Sequence, residues 1–218
     1  MQNLKNIIVG FAVSFIGSIP LGYLNFFGFE IYRKQGFYNT CSYLFGVILI
    51  EFFVVYFTLI FAKKLASNTK LTKYIELFSI IFILTLSVVF FVSSYKTNTY
   101  NVQLSQNNYY KTFLSGFFLS AVNFAQIPFW TGWNLYLLNK KYIEISKIKK
   151  YFYVLGTIAG TFFGMLSLIL ILNYSIKNNN FINENIISRA IATLFFIIGI
   201  YQLIKFYFKY KNKLYSNI

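Results

Sequence analysis

Histidine and aspartate are absent from this 218-residue chain, cysteine occurs once, proline twice, and the only carboxylate side chains are five glutamates. Without histidine there is no imidazole general base, no Ser-His-Asp triad and no HExxH zinc site, and Cys/His metal cages have no ligands. Cys41 alone can form neither an internal disulfide nor one half of a thiol relay. The usual hydrolytic and metal-dependent chemistries therefore have no residues to run on. The chain is expected not to be an enzyme, and no cofactor is implied.

What is abundant is apolar. Hydrophobic residues make up 57%, aromatics 22% and charged residues only 11%, about half the charge of a typical soluble domain. Six apolar runs, at about 6–30, 38–62, 74–94, 112–137, 152–173 and 186–208, are long enough for the roughly 20 residues that a spanning helix needs. The first run continues past Phe27 without a small-residue cleavage pattern, so it reads as a membrane helix and not as a removable signal.

The net charge of +15 is spread along the edges of these runs, which argues for topology signals beside anionic lipid and against a nucleic-acid partner. With six spans, fourteen Lys and Arg fall on one side and six on the other. That bias predicts both termini in the cytoplasm, and a multi-pass protein of a bacterial cytoplasmic (inner) membrane.

The two halves repeat. Gly10-Phe-Ala-Val-Ser14 matches Gly116-Phe-Phe-Leu-Ser120, Ile19-Pro20 matches Ile127-Pro128, and Tyr43-Leu-Phe-Gly46 matches Tyr153-Val-Leu-Gly156, at offsets of 106, 108 and 110. Three spans per half is an odd number, so the second half enters the membrane from the opposite face. The expected fold is an all-α membrane protein with six transmembrane helices in a 3+3 inverted-topology repeat. Residues 1–94 form the first repeat, the polar stretch 95–111 a linker, and 112–218 the second repeat.

Pro20 and Pro128 each sit near the middle of a run and remove an amide donor, which frees the carbonyls of Ile16 and Phe124. Freed carbonyls in hydrocarbon need other partners. Small and polar residues surround both prolines: Ser14, Gly17, Ser18, Gly22 and Asn25 in the first run; Ser120, Asn123, Gln126, Thr131, Gly132 and Asn134 in the fourth. Either proline alone would read as a kink. Two at matched positions read as the lining of a cavity, with the half-helix N-termini presenting positive dipole ends to a carboxylate or another small anion.

Glu51 is the one acidic residue deep inside a run. An ionised carboxylate there costs several kcal/mol, roughly 2.5–3.5 on insertion scales for Asp, so it must be protonated, paired or facing water. It is expected to carry a proton or to balance a substrate ammonium; the alternative is a protonated carboxyl that ties two helices together. Glu30, Glu76 and Glu144 lie three or four residues from basic neighbours, the spacing of solvated helical pairs. Gly156, Gly160 and Gly164 recur every four residues, as in close helix packing. Trp130 is placed in the cavity wall, whereas Trp133 also suits an interface anchor.

Three segments carry a resemblance to a family: Ser18-Ile-Pro20-Leu-Gly-Tyr-Leu-Asn25, Gly46-Val-Ile-Leu-Ile-Glu51 and Ala121-Val-Asn-Phe-Ala-Gln-Ile-Pro128-Phe-Trp130. Together with the length and the six runs, they resemble the lysine exporter (LysE/RhtB) family of bacterial amino-acid exporters. The family's first helix usually has Pro-Gly-Pro where this chain has Pro20-Leu-Gly. Its acidic residue is usually Asp where Glu51 stands, and its Asn-Pro pair is here split between Asn123 and Pro128.

The resemblance implies outward, proton-driven export of an amino acid or similar metabolite. Position and chemistry place Pro20, Asn25, Glu51, Asn123, Gln126, Pro128, Trp130 and Asn134 at the expected substrate site, with Glu51 expected to couple protons. The partners are then a small-molecule solute and the lipid bilayer, with a homo-oligomer left open. The competing readings are a divalent metal-ion exporter and a non-transport membrane scaffold or assembly factor.

Overall fold

The computed structural model describes residues 2–19, 22–95, 108–146, 148–177 and 184–215. Among these residues every regular element is a helix: α1 (Gln2–Ser18), α2 (Tyr23–Ser67), α3 (Thr69–Tyr95), α4 (Tyr109–Ala121), α5 (Gln126–Asn139), α6 (Lys149–Lys177) and α7 (Glu184–Tyr215). In this form the Phe-, Ile- and Leu-rich segments satisfy their backbone groups internally, as hydrocarbon would demand. Three described stretches, Tyr23–Ala62, Lys149–Ser175 and Ala192–Tyr210, are long and apolar enough to cross a membrane. The pair α4 and α5, bent by 69° at its break, would make a fourth.

Two interruptions shape the elements. Within α2 the backbone leaves helical geometry at Gly36 (φ 81°, ψ −175°), a region open in practice to glycine alone. No atom crowds Gly36, so its backbone conformation is the reason for glycine there. The second interruption separates α4 from α5 at residues 122–125.

The helices form two compact units. In one, α3 pairs with α7: the Ser87 hydroxyl donates to the Ala192 carbonyl at 2.8 Å, and Lys209 bridges to Glu76 at 2.5 Å. Of the linker expected at 95–111, residues 96–107 lie outside those described.

The other unit holds α1, α2, α4, α5 and α6. Here α1 lies on α6 and α4 lies on α2, at backbone-to-backbone distance. A methyl group added at Gly10 would come closer than 3.0 Å to Thr157, and one at Gly156 would do so against Ile7. The same holds for Gly116 against the Tyr43 carbonyl and for Gly46 against that of Phe113. These four glycines are the ones that match across the halves at offsets of 106 and 110.

Along α6, Gly156, Gly160 and Gly164 meet Ile7, Phe11 and Phe15 in the same order, so α1 and α6 run parallel. Between α2 and α6 the order reverses: Phe45 meets Phe162 and Tyr56 meets Tyr151, with ring centroids 5.3 and 5.8 Å apart. Two apolar clusters complete the unit, one around Val55, Leu59, Trp130 and Tyr153, the other around Phe29, Tyr43, Val47 and Ile169.

Candidate functional site

Pro128 lies at a break rather than a kink. Pro20 lies outside the described residues, but α1 ends at Ser18 just before it. Pro128 occupies the first turn of α5, where a missing amide costs nothing because the first amides of a helix have no helical acceptor. The carbonyls expected to be orphaned are bonded. Ile19 N–H donates to the Ile16 carbonyl at 3.3 Å and Ile127 N–H to that of Phe124 at 3.1 Å. In both halves the isoleucine before the proline closes the tighter turn.

Two of the amide side chains close these breaks. Asn25 donates through Nδ2 to the Ser18 carbonyl at 2.8 Å, and Gln126 through Nε2 to that of Ser120 at 2.9 Å. Each ties the helix after the break to the last turn of the helix before it. Asn123 sits inside the second break, where its N–H donates to Ser120 at 3.1 Å and its carbonyl accepts from Gln126 at 3.3 Å.

Glu51 is buried, with 8% of its surface exposed. The Trp130 indole N–H donates to its Oε1 at 3.2 Å, and Thr161, whose hydroxyl donates to the Thr157 carbonyl at 3.2 Å, lies beside the same carboxyl. Thr161 in turn pairs with the Ser14 hydroxyl. Two buried polar pairs result, Glu51 of α2 with Trp130 of α5 and Ser14 of α1 with Thr161 of α6. At the offset of 110 that relates Tyr43 to Tyr153 and Gly46 to Gly156, Glu51 corresponds to Thr161.

Asn134 is fully buried and belongs to a neighbouring network. Tyr153 donates to its Oδ1 at 2.8 Å, its Nδ2 donates to Thr58 Oγ1 at 3.1 Å, and Thr58 donates to the Val54 carbonyl at 2.6 Å. Thr131, also buried, has no hydrogen-bond partner for its hydroxyl among the described residues. The two tryptophans differ in burial. Trp130 is in the core, while Trp133 is 39% exposed and meets Tyr136 edge-on.

The structure therefore brings Glu51 and Trp130 together, sets Asn134 in an adjoining network, and uses Asn25, Asn123 and Gln126 at the breaks. Ser14 and Thr161 form the second pair and did not stand out in the sequence as partners. The repeat offset, applied to Glu51, points to Thr161 directly. Of the other glutamates, Glu30 pairs with Lys34 at 2.7 Å as its spacing suggested. Glu76 instead reaches Lys209 and Tyr210, and Glu144 bonds Lys149. No protein-family model, curated protein or solved structure matches the chain.

Proposed function

We propose that this chain is a proton-coupled exporter of amino acids or similar small metabolites, a divergent relative of the lysine exporter family and not an enzyme. In this reading α1 with the first part of α2, the rest of α2, α3, the broken pair α4 and α5, α6, and α7 make six spans in an inverted 3+3 repeat. Both termini lie on the cytoplasmic side of a bacterial inner membrane.

The observation that carries the reading is Glu51: one carboxyl, buried in the helical unit, whose hydrogen-bond partner is the neutral Trp130 indole. A carboxyl in such surroundings is stable when protonated and costly when ionised, which suits a group that takes up and releases a proton as its surroundings change. Support for the repeat comes from the four matched glycines, from α1 lying parallel to α6, and from α2 and α6 running in opposite directions. Discontinuous helices beside an intramembrane carboxylate are where transporters of this architecture bind solute.

The scaffold reading has an observation of its own, since Asn25, Gln126 and Asn134 all make internal hydrogen bonds. A divalent-cation exporter would need several hard oxygen ligands, and Glu51 is the single carboxylate of the cluster. The test is flux in vesicles holding the purified full chain, with an imposed proton gradient and a broad panel of labelled amino acids. Gradient-dependent movement of at least one of them is expected; no movement across the panel would hand the case to the scaffold reading.

A further inference from the structure

Glu76 on α3 has both carboxylate oxygens engaged from α7: Lys209 Nζ lies 2.5 Å from Oε1, and the Tyr210 hydroxyl donates to Oε2 at 3.2 Å. The Tyr210 ring is flanked by the ammonium groups of Lys73 and Lys209, each 5.3 Å from its centroid. Lys205 stands one turn before Lys209. Three cations thus gather at this end of the α3 and α7 pair against one carboxylate, a net charge of +2.

Beside them α7 carries an open groove lined by Tyr201, Ile204, Lys205, Phe208 and Lys209. The spacing i, i+3, i+4, i+7 puts the first four on one helix face. Tyr201, Ile204 and Phe208 are each more than half exposed, while both lysines lie in the C-terminal half of the groove. The stretch Ala192–Tyr210 is long and apolar enough to cross a membrane. In the membrane, ammonium groups in its last turns would snorkel toward headgroup level and leave the apolar side chains to hydrocarbon.

We propose that this groove binds an anionic diacyl phospholipid, with the phosphate at Lys205 and Lys209 and an acyl chain along Tyr201, Ile204 and Phe208. Charge complementarity selects the occupant. A zwitterionic headgroup brings no net charge to offset the +2, and basic pockets at the ends of membrane helices favour anionic lipid. A topology signal needs only charge, whereas Lys209 is held in place by Glu76 before any lipid arrives. The inference rests on the membrane reading of the chain and not on export or on Glu51.

Brominated acyl chains quench a nearby indole, so Tyr201→Trp in the full chain, reconstituted in vesicles, reports the lipid at the groove. The signal is read against the unaltered protein to remove Trp130 and Trp133. At equal mole fraction, brominated phosphatidylglycerol should quench the introduced indole more than brominated phosphatidylcholine. Lys205→Gln should lower that preference about five-fold, and Lys140→Gln, an equal charge removed outside the groove, should not change it. Leu203, also exposed, lies about 200° round α7 from Tyr201, and Leu203→Trp should show no preference.

Equal quenching at position 201 by both lipids, or a preference that survives Lys205→Gln, overturns the site; quenching at position 203 still upholds the span. An indole at 201 that neither lipid quenches, in a chain that cross-links as a dimer, gives the face to a second copy and overturns the site too. Absence of quenching at both positions overturns the membrane reading along with it.

Discussion

The crossing of α1 on α6 and the crossing of α4 on α2 begin alike and end differently. At the start, matched glycines let each backbone touch the other: Gly10 and Gly156 in one, Gly116 and Gly46 in the other. Past Ser14, α1 continues four residues to Ser18, and α6 supplies Gly160 and Gly164 beneath it. Past Ser120, α4 stops after one residue. The positions on α2 matching Gly160 and Gly164 are Ile50 and Val54, which no longer have a helix backbone to clear.

The shorter helix lets the chain turn into α5 within four residues. With α4 ended, α5 starts at Gln126 and carries Trp130 to Glu51, so the acidic member of the Glu51 and Thr161 pair acquires an indole partner. The two crossings differ in where one helix breaks.

The largest expected effects probe the likeness. Gly46→Ala and Gly156→Ala should each destabilise the protein by about 1–3 kcal/mol or more through overpacking, read as a lower unfolding temperature in detergent. Gly132→Ala, where nothing lies within 4 Å, serves as the silent control. Gly160→Ile probes the difference, because it places on α6 the residue that α2 carries. It should be at least as damaging as Gly156→Ala, and a tolerated isoleucine would dissolve the contrast between the two crossings.

The two matched tyrosines give a finer comparison. Tyr153→Phe removes the donor to the buried Asn134 amide and should cost about 1–3 kcal/mol, the range for leaving a buried polar group unmade. Tyr43 donates instead to the Leu24 carbonyl at 3.0 Å, within a helix, so Tyr43→Phe should cost only about 0.5–1.5 kcal/mol. Equal losses would show that Asn134 finds another donor. The smallest effect belongs to Thr131→Val, which removes a buried hydroxyl without a described partner and should leave stability unchanged or slightly raised.

Much of this was legible in the sequence for a physical reason. Close helix packing needs small residues and hydrocarbon tolerates few charges, so Gly156, Gly160, Gly164 and Glu51 announced themselves. Proline announced the breaks but not their form. Whether a freed carbonyl stays open depends on the amide three residues on, and Ile19 and Ile127 close theirs. The amides Asn25 and Gln126 were visible as polar residues, but their attachment to the preceding helix end requires the chain to turn back on itself. Pairings between distant helices, such as Glu76 with Lys209 or Ser14 with Thr161, leave no mark in local spacing.

The central claim concerns Glu51, and one assay addresses it directly: the Glu51→Gln variant in vesicles, compared with the unaltered protein in gradient-driven flux and in solute exchange without a gradient. The account predicts loss of the gradient-driven component with exchange retained, because Gln preserves the shape and the indole hydrogen bond but cannot gain or lose a proton. Gradient-driven flux that survives the substitution would contradict it.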